Sequence, residues 1–290
     1  MTTKRRVLSA IAVVAAGSLG MCLMPAASQA AQSTDTAALA ASVDPATPLT
    51  AKPVGTTAQS GKLVFSDEFN GTAVDASKWV KGDGERQAHS GIRWWYKPEN
   101  VGVANGSLNL SISKLADNQY AGSSVSSQGL FAYKYGTIEF RMQAPPTEGH
   151  LGAVWMMPEN GLAEDNNGSA SDGAEYDLAE TSNKADTYPN TVHYDGYGTN
   201  HKSTSHVVQA PGLHSGYHTF SLVWTPESLT YLYDGTMVRY LTDTKLISAV
   251  RERPVMSNEI LQMAEGDIAT APKNSTSDAK FDYVRVWQNN

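Results

Sequence analysis

The stretch Glu175-Tyr176-Asp177-Leu178-Ala179-Glu180 can be read in two ways, and the fold follows from the choice. Three acids so close together are either a solvated edge or part of a sheet. The neighbours decide for the sheet. Upstream, Gly152-Ala153-Val154-Trp155-Met156-Met157-Pro158 is an apolar run that ends at a proline and reads as a buried strand. Downstream, Thr191-Val192-His193-Tyr194 is a second short strand, closed by the turn formers Asp195-Gly196-Tyr197-Gly198. On a straight strand side chains alternate with period two, so Glu175 and Asp177 share a face and Glu180 points away. One extra residue at Leu178-Ala179, a bulge, returns Glu180 to the face of the other two.

Working outward, alternation recurs along the chain. Leu108-Asn109-Leu110-Ser111-Ile112-Ser113, Ile138-Glu139-Phe140-Arg141-Met142-Gln143 and Phe220-Ser221-Leu222-Val223-Trp224 each set an apolar face against a polar one. Tyr231-Leu232-Tyr233-Asp234-Gly235-Thr236 carries the Asp-Gly pair of tight hairpins, and Phe281-Asp282-Tyr283-Val284-Arg285-Val286-Trp287 closes the chain as another strand. Only Lys245 to Glu252 looks helical. Many short strands with Gly and Pro punctuation predict an all-β fold: an antiparallel sandwich of two sheets, a jelly roll of the concanavalin A-like kind with a concave cleft.

Carboxylates that repel one another inside a sheet shift each other's pKa, and such crowding is tolerated mainly where its chemistry is used. Aromatics accompany the acids: Trp94, Trp95 and Tyr96 in one run, Trp155 before the acidic stretch, Tyr194 and Tyr197 after it. Aromatic faces stack on the C–H faces of sugar rings, so a cleft of this composition suits a carbohydrate chain. Trp224 and Trp287, in regularly alternating strands, are assigned to the core.

The ends of the chain read differently. Lys4-Arg5-Arg6, the apolar run Val7 to Met24 and Ala27-Ser28-Gln29-Ala30 make residues 1–30 a secretory signal peptide cleaved after Ala30. Arg5-Arg6 leaves both Sec and twin-arginine export open. The single cysteine, Cys22, lies inside that signal, which excludes disulfides and thiolate chemistry from the mature chain. Residues 31–60, rich in Ala, Thr, Ser and Pro, read as a flexible low-complexity leader, and residues 61–290 as one domain. The net charge of −7 and the lack of a basic cluster argue against nucleic acid as a partner. A secreted, extracellular monomer with no membrane contact after signal cleavage is expected. The histidines form no metal-binding spacing such as His-Glu-x-x-His, so no catalytic metal or cofactor is expected.

The acidic stretch resembles the Glu-x-Asp-x-x-Glu signature of glycoside hydrolase family 16, the laminarinase and lichenase relatives. The likeness extends from Leu63 to Gln288. Phe65-Ser66-Asp67-Glu68-Phe69-Asn70-Gly71, Tyr135-Gly136-Thr137-Ile138-Glu139-Phe140-Arg141, Trp224-Thr225-Pro226, Tyr233-Asp234-Gly235 and the last strand fit in order. The chain departs from many relatives at His150-Leu151-Gly152-Ala153, where they have a Trp-Pro-Ala run, and at Tyr176, where an aliphatic residue is usual.

The resemblance implies Glu175 as nucleophile, Glu180 as general acid/base and Asp177 as the supporting carboxylate, in a retaining double displacement. It places Trp155 and His193 in the cleft; Trp94, Trp95 and Tyr194 are taken as further sugar contacts. It also offers Asp282 as the acid of a structural calcium site built otherwise from backbone oxygens. The implied activity is endo-hydrolysis of β-1,3- or mixed-linkage β-1,3-1,4-glucan. The alternatives are a galactan, agar or carrageenan hydrolase, for which Arg86, Arg93 and Lys97 would be groove cations, and a non-catalytic lectin-like domain.

Overall fold

A computed structural model describes residues 42–56, 61–182, 185–261 and 266–288. The expected signal peptide, 1–30, lies outside the described residues. Two sheets face each other. The outer sheet runs in the order Thr236–Leu241, Leu229–Tyr233, His218–Trp224, Gly136–Gln143, Ala279–Gln288, Ser107–Leu110, Val101–Ala104, with Lys62–Asp67 also paired to Ala279–Gln288. The inner sheet runs Lys202–Gln209, Thr187–Tyr194, Glu175–Thr181, Leu151–Pro158, Glu252–Glu259, Gln119–Ser126, Arg93–Tyr96, Gly84–Glu85. Pairing is antiparallel except where Arg93–Tyr96 runs parallel to Gln119–Ser126. This is the sandwich expected from the alternation.

The core lies between the sheets because each contributes one apolar face. Ile138, Phe140, Leu222, Val284 and Val286 from the outer sheet are fully buried with Val154, Met156, Tyr176, Val192 and Met256 from the inner one. Trp224 and Trp287 are core residues, as their alternation required. Tyr176, unusual for its size, uses its hydroxyl: it donates to the Leu246 carbonyl and accepts from the Ser248 amide at 2.6 Å. That bond ties down Thr244–Leu246, a single 3₁₀ turn. The helix expected over Lys245 to Glu252 does not form; the chain after the turn is irregular, and Glu252 already opens a central strand.

At the Asp234-Gly235 hairpin both residues take positive φ, 45° and 74°, the geometry of a tight two-residue turn. Across it lies part of the expected leader. Residues 42–56 lie against the outer sheet. The Thr47 hydroxyl donates to Glu68 at 2.7 Å, the Val54 amide donates to the buried Glu139 carboxylate at 2.8 Å, and Trp287 donates to the Ala51 carbonyl at 3.2 Å. Gly55 crosses so close that an added Cβ would stand 2.0 Å from the Gly235 carbonyl oxygen. Low-complexity composition concealed this strap because its anchors are backbone groups and small hydroxyls, which carry no periodicity.

Candidate active site

The acidic strand, Glu175–Thr181, contains the expected irregularity. Opposite it, Val154 pairs with Ala179 and the next residue, Trp155, pairs with Asp177, so Leu178 is the extra residue. Leu178 and Ala179, adjacent in sequence, both enter the core. The result is that Glu175, Asp177 and Glu180 all face the concave side of the inner sheet.

Cross-strand pairing lays out the floor around them. Asp177 lies in a row with Thr191 on one side and Trp155, Val255 and Ser126 on the other. Glu180 lies in a row with Ala153, Ser257 and Ser124. One row raises an indole wall and the other is floored by small side chains, leaving room for a sugar ring. Trp155 is held in orientation by its Nε1 hydrogen bond to Ser257 Oγ, 3.1 Å. Glu175 pairs with His193, whose Nε2 lies 3.2 Å from Asp177 Oδ2, though not in line for a hydrogen bond. His193 Nδ1 meets Nε2 of His201 at 2.8 Å, and the two rings stack. The Tyr197 hydroxyl donates to Glu175 Oε2.

The electrostatics follow from burial and crowding. Burial, then the Asp177 charge, pushes Glu175 up to about 8, while the Tyr197 hydroxyl and His193 pull it down. Asp177 is raised by burial and by Glu259. Glu180 is pushed up to about 9 by burial and then by Asp177, Glu259 and Glu175, with only the His193 charge opposing. The groups titrate as a set. The order within the set is nevertheless physical: Glu175 has a donor on its anion and ionises more readily, and Glu180 faces three other carboxylates and holds its proton longest. One carboxylate is therefore suited to attack and the other to proton donation.

Several expected contacts are elsewhere. Trp94 is 1% exposed, packed in a second small core with Tyr96, Ile112 and Tyr120, and has no face to offer a sugar. Trp95 pairs with Ala121 and alternates with Tyr96, so it lies on the face opposite the cleft, with the Arg93 guanidinium over its ring. Tyr194 alternates with His193 and packs against the main core. For Trp94 and Trp95 a run of aromatics was credited as a unit, whereas strand alternation divides it, and the same alternation turns Tyr194 away from the face of His193. Asp282, in the outer sheet, forms a part-exposed ion pair with Arg141. Among the described residues the one group of acids and histidines close enough to hold a metal is Glu175, Asp177 and His193 themselves.

Two groups were missed. Glu259, 6% exposed, ends the strand Glu252–Glu259, accepts a hydrogen bond from the Tyr96 hydroxyl at 2.5 Å and acts on all three acids. Tyr197 was noted only as one of the aromatics. Arg86, with its guanidinium 5.0 Å from the Tyr96 ring centre, lines the same end of the groove as Trp155 and Arg253, whereas Arg93 and Lys97 are paired with Glu85 and Asp83.

Comparison with known proteins agrees with this architecture. The family described as "Glycosyl hydrolases family 16" matches residues 88–285, and the chain belongs to that family. It is 25% identical over 260 residues to glucan endo-1,3-beta-glucosidase A1 of Niallia circulans, covering 78% of this chain and 38% of that protein. It is 26% identical over 250 residues to a beta-glucanase of Rhodothermus marinus, covering 78% of this chain and 85% of that one. Against the first of these relatives the chain thus spans well under half the length. The solved endo-beta-1,3-glucanase of Pyrococcus furiosus shares the fold, with a TM-score of 0.62 at 21% identity over 78% of this chain and 94% of that one.

Proposed function

We propose that this chain is an exported, endo-acting hydrolase of β-1,3- or mixed-linkage β-1,3-1,4-glucan that works with retention of configuration. The observation that carries the reading is the bulge at Leu178, which puts Glu180 on the face of Glu175 and Asp177. In the first displacement Glu175 attacks the anomeric carbon while Glu180 protonates the departing glycosidic oxygen; in the second, Glu180 takes a proton from water, which releases the sugar from Glu175. Asp177 stands between the two working groups, and its charge, with that of Glu259, adds to the burial that keeps Glu180 protonated. A trough that crosses the strands of the inner sheet suits an internal stretch of polysaccharide rather than a chain end. Export rests on the basic, apolar and small-residue pattern of residues 1–30. The enzyme is read as a monomer whose partner is the polysaccharide alone.

A second reading has one observation in its favour. Arg86 places a guanidinium in the groove near Trp155, and such a group suits the sulfate of a galactan. Product analysis on laminarin, lichenan, agarose and carrageenan separates the two. Glu175→Gln is expected to abolish release of reducing ends from whichever of these is the substrate. Unchanged hydrolysis by that variant removes Glu175 as nucleophile, and binding without turnover by the wild type on every substrate would leave a lectin.

A further inference from the structure

The loop 195–201 does more than join two strands. It begins with Asp195 and Gly196, both at positive φ, 58° and 72°, which turn the chain back over the end of the acidic strand. Asp195 is buried, and its carboxylate accepts from Lys202 and from the Gly168 amide at 3.2 Å, which fixes the base of the loop. At φ 72° a side chain on Gly196 would be strained, and its Cβ, 2.3 Å from Glu164 Oε2, would displace the Glu164 carboxylate. Glu164 in turn accepts from the Tyr197 amide at 3.0 Å. Backbone and side-chain ties from the loop 159–173 therefore set where the Tyr197 ring stands, and its hydroxyl reaches Glu175 Oε2.

We propose that Tyr197 is the positioning residue of the nucleophile: its hydroxyl occupies one oxygen of Glu175 and stabilises the anion, leaving the other oxygen to face the anomeric carbon. This rests on the reading of Glu175 as nucleophile. A free carboxylate rotates about its last bond and presents either oxygen; one held by a donor presents a defined lone pair, which is worth orientation as well as charge. Burial and the Glu175 charge hold the Tyr197 phenol well above its ordinary value, so it stays a donor throughout the working range. Taken over the whole residue, Tyr197 is 55% exposed. His201, six residues after Asp195, extends the same device to the other side by meeting His193.

The test compares wild type, Tyr197→Phe, Glu164→Gln and Glu175→Gln on a soluble β-1,3-glucan, with kcat and KM followed across pH. Tyr197→Phe keeps the ring and removes the donor. It is expected to lower kcat about 10- to 100-fold, the range set by loss of a hydrogen bond to a charged group, with KM nearly unchanged. Its acidic limb is expected to move to higher pH, because an anion without its donor is harder to form. Glu164→Gln, which loosens the loop and keeps the hydroxyl, is expected to move the limb the same way by less. A Tyr197→Phe enzyme with the wild-type kcat and an unmoved acidic limb overturns the proposal. So does a loss confined to KM, which would make Tyr197 a sugar contact. Should Tyr197→Phe fail to fold, as thermal unfolding would reveal, an unmoved limb in Glu164→Gln overturns it instead. Activity surviving in Glu175→Gln sinks the nucleophile assignment itself, a result distinct from an inert Glu175→Gln beside an unaltered Tyr197→Phe.

Discussion

The division of labour proposed for two chemically identical side chains, Glu175 and Glu180, follows from their surroundings. Glu175 has a phenol on its anion; Glu180 has the repulsion of Asp177, Glu259 and Glu175. Because the folded value of Glu180, about 9, lies above the ordinary value of about 4.3, the folded state binds more protons between the two. Its contribution to stability is thus fully present below the ordinary value and is lost as pH rises through the folded one. Glu180→Gln, neutral at every pH, is expected to raise the unfolding temperature relative to wild type at alkaline pH and to leave it unchanged in acid. The gain should be about 1–2 kcal/mol, less than an isolated group would give because the repulsion is shared by the set. A Glu180→Gln protein with equal stability at both pH values would show that Glu180 is not strained. The same variant should lose the alkaline limb of its activity on an aryl glycoside whose leaving group needs no proton. At this scale the sequence showed the acids but not Glu259, since Val255-Met256-Ser257-Asn258-Glu259 has nothing to distinguish an acid at the rim of a cleft from one in water.

Among the elements, the acidic strand explains why the spacing of the acids was informative. Residues five apart face opposite ways on a regular strand, and the extra residue at Leu178 reverses that. Deleting Ala179 should therefore straighten the strand: the acids become two and four residues from Glu175, and Leu178 still fills the core. Such a variant is expected to keep hydrolysis within about 100-fold of wild type, the cost of a shift of the order of an ångström. Deleting Leu178 and Ala179 together turns Glu180 toward the core and should abolish activity; if the double deletion remained active while folded, the face argument would fail. The bulge was legible because charge pattern and core pattern disagree about the period. Strands such as Glu252–Glu259 and Lys202–Gln209 were not, for the same physical reason in each case. A strand under a polar groove, or at a sheet edge, carries polar groups on both faces and loses its alternation. The run Trp94-Trp95-Tyr96 was legible as aromatic, but that it forms a strand, and which of its rings faces the cleft, depends on the pairing with Gln119–Ser126, which is not written in the run itself.

For the whole molecule, site and stabilising devices lie on opposite sides of the sandwich. The carboxylates occupy the inner sheet's concave face, while the strap 42–56 covers the outer sheet, where Glu139 is fully buried and accepts from Val54 N, Ser221 Oγ and Tyr283 OH. Without the strap Glu139 loses its backbone donor and Trp287 loses the Ala51 carbonyl, at about 1–3 kcal/mol for each buried group left unsatisfied. For a domain of this size each kcal/mol corresponds to about 2–4 °C in Tm. A chain beginning after residue 56 is therefore expected to unfold about 5–15 °C lower, by scanning calorimetry, with kcat on the polysaccharide it is found to cleave unchanged at temperatures where both forms are folded. Ala51 offers only its carbonyl, so the separation of effects is best read at Val54: Val54→Pro removes the amide donor to Glu139 and should reproduce part of the loss. Equal Tm for the shortened and full-length chains would mean that the strap adds nothing to the sandwich. A fall in kcat at low temperature would mean that the outer sheet communicates with the groove through the close-packed core between them.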